Sequence, residues 1–213
     1  MVMVRLGKIM KRIGLFGGTF NPIHNGHLQL AEGALKLFNL DSLYFIPTGK
    51  SYHKEVTYMP ETEDRLRILE LAIEDNDKFL ISDCDIKRGG PTYTVDTIAD
   101  MKKIETDARF FWVMGSDALL DILNWNDIEN IAKRTTFLVA LRQGDSKHRV
   151  EIFRDTLPSY LEGKVLLFEW PIQNISSKEI KKNMINKKYL PKKVYEYIKL
   201  KGLYNDATKT DSI

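Results

Sequence analysis

The sequence predicts a protein of the α/β class, built on a parallel sheet whose two faces are covered by helices. Two observations along the 213-residue chain predict it. Short apolar runs that suit strands alternate with longer stretches in which apolar residues recur at the three-to-four spacing of a helix. Because parallel strands need a crossover between them, this alternation favours a Rossmann-like arrangement, followed by C-terminal helices.

Six strands and the helices between them can be placed in order. The strands are predicted at residues 12–16, 43–47, 79–84, 110–114, 136–141 and 165–168. The apolar stripes that predict crossover helices are formed by Leu28, Ala31, Leu35 and Phe38, by Leu66, Leu69 and Ile73, and by Val95, Ile98, Ala99 and Met101. The tail predicts two helices that are separated at Pro191, and the apolar face of the second contains Val194, Tyr197 and Ile198.

The chain contains no internal repeat, no low-complexity block and no Pro/Gly-rich linker. This predicts a single domain over residues 1–213, in which residues 1–9 are a possible unstructured extension and residues 205–213 are a tail. The sequence leaves the oligomeric state open, and a homodimer is one possibility.

Composition argues against several classes of protein. The chain has 32 Lys and Arg residues against 29 Asp and Glu residues, and these charges are scattered, so we expect no nucleic-acid partner and no membrane-surface helix. The longest apolar runs, such as residues 110–114, are far below the roughly 18–20 residues of a membrane span. The single cysteine, Cys84, cannot form an internal disulfide and is expected to fill the core. These features predict a cytoplasmic protein.

Two adjacent glycines lie where the first strand should end. Gly17 and Gly18 follow the first apolar run, and a helix is expected to begin near Asn25 or Gly26. Ligands of open α/β sheets gather at the carboxyl ends of strands. Glycines let the backbone approach an anion closely, and the start of a helix offers free N–H groups. This segment is therefore a candidate phosphate site.

Two histidines lie at the expected helix start. His24 and His27 are three residues apart, so they would project to the same side and donate hydrogen bonds to phosphate oxygens. Each feature has an ordinary alternative, since Gly-Gly after a strand is often only a turn and a histidine at a helix start is often a cap or a surface residue. Together the features favour phosphate binding.

Two familiar nucleotide motifs fail on spacing. The sequence TGKS at residues 48–51 matches the end of a P-loop, but the earlier glycine of G-x-x-x-x-G-K-[ST] would fall on Tyr44. The first turn, GLFGGTF, lacks the G-x-G-x-x-G spacing of a dinucleotide fingerprint, which argues against a dehydrogenase.

The segment GGTFNPIHNGH resembles the G-G-T-F-D-P-x-H-x-G-H signature of the nucleotidyltransferase superfamily. Further segments occur in the order seen in the bacterial nicotinate mononucleotide adenylyltransferase family: IPTGKSYHK, RGGPTYTVDT, VMGSDALLDILNWND, ISSKEIKK and LPKKVYEYIKLKGLY. The similarity extends from about Lys11 to about Tyr204. It implies transfer of the adenylyl group of ATP to nicotinate mononucleotide, which gives nicotinic acid adenine dinucleotide and pyrophosphate in NAD biosynthesis.

The resemblance implies an ATP site in which His24 and His27 hold the phosphates and act in catalysis. The residues that it implies for ATP are Gly17, Gly18, Thr19, Phe20, His24, His27, Ser176, Ser177 and Lys181. An ordinary N-cap is the alternative for the two serines. The family pattern I-S-S-T-x-I-R has Thr and Arg where this chain has Lys178 and Lys181, and lysine keeps the charge of arginine without its bidentate fork. Asn21 replaces a common Asp, a change from which we expect little.

For nicotinate mononucleotide the resemblance implies Thr94, Asp117, Trp125, His53 and Lys54. Asp117 would bind the ribose hydroxyls, Trp125 would stack on the pyridine ring, and Thr94 would lie near the ring carboxylate. His53 and Lys54 match the end of the family's P-P-H-K loop, of which the prolines are absent here. A core aromatic is the alternative for Trp125, and a helix N-cap is the alternative for Asp117 and for Thr94.

The implied reaction needs no protein nucleophile, because the acceptor phosphate is already ionised and can attack the α-phosphorus of ATP directly. We expect Mg²⁺ to bind through the ATP phosphates, without a metal site on the protein. Two other functions stay open: a sister adenylyl- or cytidylyltransferase with another phosphorylated acceptor, and a non-catalytic nucleotide sensor. An RNA-binding role, suggested by the H-x-G-H of class I aminoacyl-tRNA synthetases, is disfavoured because the chain lacks a basic stripe.

Overall fold

The computed structural model describes residues 10–49, 58–141, 144–182 and 186–204. Its strands are β1 Lys11–Gly18, β2 Ser42–Pro47, β3 Phe79–Ile81, β4 Ala108–Gly115, β5 Thr135–Leu141 and β6 Val165–Glu169. Its α-helices are α1 Asn25–Leu37, α2 Thr62–Ile73, α3 Cys84–Arg88, α4 Thr94–Ile104, α5 Ser116–Leu119, α6 Ile128–Arg134, α7 Lys147–Asp155, α8 Ser177–Lys182 and α9 Lys192–Lys201. Short 3₁₀ turns lie at Ile122–Asn124, Ser159–Leu161 and Lys187–Tyr189.

The six strands run parallel in one sheet with the order β3-β2-β1-β4-β5-β6. The predicted Rossmann-like parallel sheet is therefore confirmed. Leu15 of β1 lies opposite Tyr44 of β2 on one side and Trp112 of β4 on the other. The chain leaves β1 toward β2, whereas it leaves β4 toward β5. The carboxyl ends of β1 and β4 thus flank the crevice in which sheets of this kind bind ligands.

Apolar cores lie on both faces of the sheet, as a parallel sheet requires. Alternate residues of each strand point to opposite faces, so that Val113 contributes to one core and Met114 to the other. Helices α1, α2 and α9 cover the first face, and α4 and α6 cover the second. Within the described segments, no helix has the length and apolar composition needed to cross a membrane.

The third strand is shorter than predicted. The prediction covers residues 79–84, but β3 ends at Ile81 and Cys84 already begins α3. Asp85 and Arg88, three residues apart, form an ion pair of 2.7 Å that favours a helical turn at this point. Cys84 is half-buried against the core covered by α4, and burial raises the pKa of its thiol. This position agrees with the predicted role of Cys84 in packing.

The two predicted C-terminal helices are present on either side of Pro191. Val194 and Ile198 of α9 are buried in the core shared with α2. Tyr197 packs at the edge of this core, and its hydroxyl donates to Oδ1 of Asp64 at 2.7 Å. Helix α9 thereby holds α2 against the sheet.

Helix α1 passes unusually close to the segment that follows β6. A Cβ added at Gly33 would lie 2.5 Å from Cγ of Trp170. Gly33 is buried in the middle of α1, where glycine is otherwise unfavourable. Its presence is explained by the Trp170 ring, which occupies the space that a side chain at position 33 would take.

We predict that Gly33→Ala lowers the free energy of unfolding by about 1–3 kcal/mol, because overpacking against Trp170 outweighs the gain of about 1 kcal/mol that alanine gives in a helix interior. Equilibrium urea unfolding measures the difference. In a Trp170→Ala background the ring contact at 2.5 Å is removed and the contact with Cβ of residue 170 at 2.9 Å remains, so the same change is expected to cost less. Equal destabilisation in both backgrounds would contradict this packing argument.

Candidate active site

The end of β1 packs closely against aromatic rings. A Cβ added at Gly17 would lie 2.9 Å from the ring of Trp112, and one at Gly18 would lie 3.2 Å from the ring of Phe20. The two glycines therefore serve packing, in addition to the close approach of a ligand that the sequence predicts. Phe20 has a φ of 43°, in the left-handed region that few residues other than glycine adopt. The backbone after β1 is thus held in one particular conformation.

His24 and His27 lie together at the start of α1, as predicted. His24 precedes Asn25, the first residue of the helix, and His27 is in the first turn. Their imidazole rings stack, with centroids 3.7 Å apart and an angle of 26° between the planes. The backbone N–H of His24 donates to Nδ1 of His27 at 3.3 Å. A neutral His27 must then hold its proton on Nε2, which becomes a donor for an oxygen of a ligand.

Aromatic side chains fix the position of the His27 ring. Its centroid lies 5.3 Å from that of Phe20 and 6.0 Å from that of Phe16. Both phenylalanines also pack against Phe45 of β2. His24 is buried, and His27 is half-buried. The histidine pair therefore has a rigid apolar wall on one side and access from solvent at His27.

The start of α8 contacts the loop that contains the histidines. The hydroxyl of Ser177 donates to the backbone carbonyl of Pro22 at 2.9 Å and joins two segments 155 residues apart. Beyond α8, the side-chain amide of Asn25 donates to the backbone carbonyl of Lys188 at 3.3 Å. The two segments that the resemblance implies for ATP binding, the loop after β1 and the start of α8, are thus neighbours near His24.

Ser176 caps α8 through a reciprocal set of hydrogen bonds with Glu179. The carboxylate of Glu179 accepts from the Ser176 hydroxyl at 2.7 Å and from its N–H at 2.9 Å. The hydroxyl in turn accepts from the N–H of Glu179 at 3.2 Å. These bonds, together with the nearby His24, lower the pKa of Glu179. The N-cap alternative is therefore correct for Ser176 in this structure, and the S-x-x-E spacing of a capping box is the signal that predicts it.

Lys181 of α8 is half-buried, and burial lowers the pKa of its ammonium group. No carboxylate of the described residues forms an ion pair with it. An ammonium group that has lost hydration without gaining an opposite charge favours the binding of an anion. The phosphate contact of Lys181 stays a prediction.

Two of the residues predicted for the acceptor begin helices at the carboxyl edge of the sheet. Thr94 is the first residue of α4, and Asp117 is the second residue of α5, directly after β4. The residues in the N-cap positions are Tyr93 and Gly115, so the N-cap alternative is wrong for both Thr94 and Asp117. His53 and Lys54, the weaker acceptor predictions, lie outside the described residues.

Trp125 is a packed aromatic that stays partly accessible. Its ring meets those of Trp112 and Phe137 edge to face, with centroids 6.0 Å and 6.2 Å away. Trp112 in turn covers Gly17, so Trp125 is linked by ring contacts to the end of β1. The core-aromatic alternative thus accounts for the buried part of Trp125, while the half-buried ring leaves surface for stacking.

Buried polar residues behind the β1 loop were not predicted from the sequence. Asn21 is 3% exposed; its amide donates to the Tyr58 carbonyl at 2.7 Å and accepts from the Tyr204 hydroxyl at 2.9 Å. Arg65 is 4% exposed and donates to the carbonyl of Thr19 at 3.0 Å. A carboxylate in place of Asn21 could not donate to Tyr58, so the Asn changes the local hydrogen bonding more than its similarity to Asp suggests.

A cavity of about 770 Å³ lies beside the histidine site, at the carboxyl ends of β5 and β6. Gln29, Leu141, Asp145, Trp170 and Gln173 are among the residues that line it. The Gln173 N–H donates to the Gln29 side chain at 2.7 Å, which closes the cavity against α1. The side-chain oxygen of Gln173 is buried, and no described residue donates to it. This cavity suits a flat molecule with a hydrogen-bond donor.

Comparison with known proteins identifies relatives over most of the chain. The cytidylyltransferase-like family model matches residues 15–183. A Neisseria meningitidis serogroup B protein named "Probable nicotinate-nucleotide adenylyltransferase" is 40% identical over 200 residues, which is 92% of this chain and 99% of the relative. A Clostridium tetani protein of the same name is 35% identical over 199 residues, covering 92% of this chain and 100% of the relative.

Solved structures share the fold. Plasmodium falciparum nicotinic acid mononucleotide adenylyltransferase complexed with NaAD has a TM-score of 0.73 and 22% sequence identity, over 92% of this chain and 98% of that one. The same enzyme complexed with APC has a TM-score of 0.71 and 21% identity, with the same coverage. The sheet and its crossovers are therefore shared with these structures.

We predict that Glu179→Ala tightens the binding of inorganic triphosphate about two- to five-fold, because it removes a negative charge from the start of α8 and frees the N–H and hydroxyl of Ser176. Isothermal titration calorimetry measures the affinity. Glu196→Ala, an exposed change on α9, is the matched control and should leave the affinity unaltered. Weaker binding by Glu179→Ala would show that the carboxylate does not compete with the anion.

Proposed function

The chain belongs to the nicotinate-nucleotide adenylyltransferase family, and from this premise we propose how it transfers the adenylyl group of ATP to nicotinate mononucleotide. The products are nicotinic acid adenine dinucleotide and pyrophosphate, and the reaction is a step of NAD biosynthesis. The relatives in Neisseria meningitidis and Clostridium tetani, which match almost the entire described chain, support the reaction type. The cysteine usage is compatible with a reducing compartment, and we propose the cytoplasm as its location.

The observation that supports this proposal most directly is the placement of His24, His27 and Ser177 around one loop. These residues come from two segments 155 residues apart that meet at the loop after β1. Such a set of fixed donors suits a chain of phosphate oxygens. In our proposal the triphosphate lies between the start of α1 and the start of α8.

Each ATP contact has a distinct physical role. Nε2 of His27 donates to an oxygen of the reacting phosphate, and the stacked His24 keeps the His27 ring in place. Gly17, Gly18, Thr19 and Phe20 allow the triphosphate to approach the backbone closely. Lys181 supplies a positive charge to the leaving pyrophosphate. Ser176 supplies its hydroxyl once Glu179 has moved aside, and Ser177, whose hydroxyl is held by the Pro22 carbonyl, supplies its backbone N–H.

The cavity beside the histidines is our proposed site for adenine. Trp170 and Leu141 offer apolar surface for a flat ring. The buried side-chain oxygen of Gln173 can accept a hydrogen bond from the amino group of the base. A purine placed there leaves its triphosphate to extend along the start of α1, because the backbone carbonyl of Gln173 lies against Gly26.

The acceptor is proposed to bind on the opposite side of the crevice. Asp117 accepts hydrogen bonds from the ribose hydroxyls, the accessible part of Trp125 stacks on the pyridine ring, and the hydroxyl of Thr94 donates to the ring carboxylate. His53 and Lys54 are proposed as further contacts. This arrangement directs the acceptor phosphate toward the α-phosphorus of ATP.

The reaction is a single displacement. An oxygen of the acceptor phosphate forms a bond to the α-phosphorus, while the bond from that phosphorus to the bridging oxygen of the β-phosphate breaks, and its electron pair leaves with pyrophosphate. The acceptor oxygen is already ionised, so the protein removes no proton. The protein contributes alignment and positive potential at the oxygens that gain charge.

A magnesium ion fits this chemistry through ATP. Among the described residues, no cluster of three or more His, Cys, Asp or Glu side chains could hold a metal ion. The groups that face the proposed phosphates are donors and cations, which do not ligate metals while protonated. We propose that Mg²⁺ is held by phosphate oxygens and water, and when bound it neutralises part of the triphosphate charge.

We predict that the chain releases pyrophosphate from ATP with nicotinate mononucleotide, with a kcat/KM about tenfold or more above that with nicotinamide mononucleotide. Donors that face a carboxylate form stronger hydrogen bonds than those that face an amide. A coupled pyrophosphate assay with both mononucleotides, glycerol 3-phosphate and phosphocholine measures it. Faster turnover of another acceptor would favour a sister transferase, and ATP binding without pyrophosphate release would indicate a nucleotide sensor.

We predict that His27→Ala lowers kcat by roughly two orders of magnitude, the effect of losing one preorganised donor to the reacting phosphate. Steady-state pyrophosphate release at saturating substrates measures it, and circular dichroism verifies folding. His148→Ala, on the exposed surface of α7, is the matched control and should keep full activity. Wild-type turnover by His27→Ala would remove His27 from the mechanism.

A further inference from the structure

Arg65 of α2 is a buried cation directly behind the loop that follows β1. Its side chain is 4% exposed, although arginine stays protonated in proteins. No carboxylate of the described residues pairs with it, and burial lowers the pKa of its guanidinium. A buried charge requires compensation from its surroundings. For Arg65 the compensation comes from backbone dipoles, and an anion in the neighbouring crevice would add to it.

Two backbone carbonyls accept hydrogen bonds from Arg65. Its Nη2 donates to the carbonyl of Thr19 at 3.0 Å and to that of Thr48 at 2.8 Å. Thr19 follows β1 and Thr48 follows β2, so one guanidinium joins two neighbouring loops at the carboxyl edge of the sheet. Arg65 therefore reinforces the arrangement of these strand ends, which the backbone hydrogen bond from the Thr48 N–H to the Gly18 carbonyl also holds.

The contact with Thr19 also sets the direction of the next N–H group. The peptide between Thr19 and Phe20 is trans, and in a trans peptide the carbonyl and the following N–H point in opposite directions. The N–H of Phe20 thus points away from Arg65. Within the described segments it donates to no backbone acceptor, and the Phe20 ring lies against His27. This N–H is available to a ligand beside the histidines.

The backbone conformation of Phe20 must be held by neighbouring contacts, because a left-handed backbone is unfavourable for a residue with a side chain. Arg65 holds the residue before it through the Thr19 carbonyl. Asn21, the residue after it, is held by the hydroxyl of Tyr204 at 2.9 Å. The Phe20 N–H is thereby presented by contacts from both sides, one from α2 and one from the end of the described chain.

We propose that Arg65 is a positioning residue for the triphosphate of ATP, which holds the Thr19 carbonyl so that the Phe20 N–H faces the phosphates, and whose buried charge attracts them from behind. This inference rests on the proposed use of ATP. The hydrogen bonds of Arg65 go to the loops after β1 and β2, whereas Asp117, proposed for the acceptor, follows β4. The loss of Arg65 should therefore affect ATP far more than the mononucleotide.

The test compares Arg65→Met with the wild type. ATP affinity, measured by calorimetry with the non-hydrolysable α,β-methylene analogue, is expected to fall about 10- to 100-fold, the range for residues that act by holding others. The affinity for nicotinate mononucleotide should stay unchanged. Arg65→Lys keeps the charge, but lysine is shorter and lacks the guanidinium fork. Its ATP affinity should therefore lie between those of the wild type and Arg65→Met. Arg67 is exposed two residues further along α2, so Arg67→Met is the matched control and should leave the ATP affinity unchanged.

Equal losses for both ligands, or an unchanged ATP affinity in a folded variant, would overturn the proposal. Thermal unfolding followed by circular dichroism establishes that each variant is folded. If Arg65→Met lacks a cooperative transition, Arg65→Lys alone decides, since its ATP affinity must fall while its affinity for the mononucleotide holds.

A measurement on the wild type is independent of any variant. With ¹⁵N-labelled phenylalanine, the Phe20 amide should become protected from hydrogen exchange when the ATP analogue binds. An amide that exchanges at the same rate would overturn the proposal. These experiments measure ATP binding, so they decide the role of Arg65 whichever acceptor is used. A different acceptor in the pyrophosphate assay, or no release of pyrophosphate, would contradict the proposed function and not the role of Arg65.

Discussion

The hydrogen bonds from Arg65 to the carbonyls of Thr19 and Thr48 are the constraint on which the candidate site depends. They fix the chain where it leaves β1, and that chain then turns through Phe20 to the histidine pair at the start of α1. Small displacements there would move the His27 ring, because Phe20 packs against it. A site of this kind is preorganised: the donors are in place before a ligand arrives, so binding needs little rearrangement of the backbone.

The electrostatics around the candidate site favour the anion that we propose to bind there. Arg65 and Lys181 are cations that have lost hydration without a carboxylate partner in the described part of the chain. Glu179 occupies the donors of Ser176 and interacts electrostatically with His24. A carboxylate that sits on hydrogen-bond donors keeps them satisfied in the free protein. In our proposal a triphosphate replaces this carboxylate, so that the anion lies beside the two cations and the donors of Ser176 stay satisfied.

The fold could be predicted from the sequence because alternation of strands and helices is a local pattern, and five of the six strands lie close to their predicted bounds. The third strand was predicted too long, because the apolar pattern of residues 79–84 does not include the Asp85–Arg88 ion pair, which favours a helical turn.

The histidine pair could be predicted because its members are close in sequence. Arg65 could not, since a stripe of apolar residues does not include a buried cation; the predicted members Leu69 and Ile73 are buried, and Arg65 and Ile68 are buried beside them. Its partners, Thr19 and Thr48, are distant in sequence.

In our proposal the lysine at position 181 gives the two halves of the site different roles. An arginine there would both attract the triphosphate and orient it through two parallel hydrogen bonds, whereas Lys181 acts as a point charge. Orientation must then come from groups whose directions are fixed by the fold. His27 is such a group, because a backbone N–H occupies its Nδ1, and the Phe20 N–H is another, because Arg65 holds the carbonyl before it. In our proposal, rigid donors after β1 align the reacting phosphate while the charge of Lys181 on α8 stabilises the departing pyrophosphate.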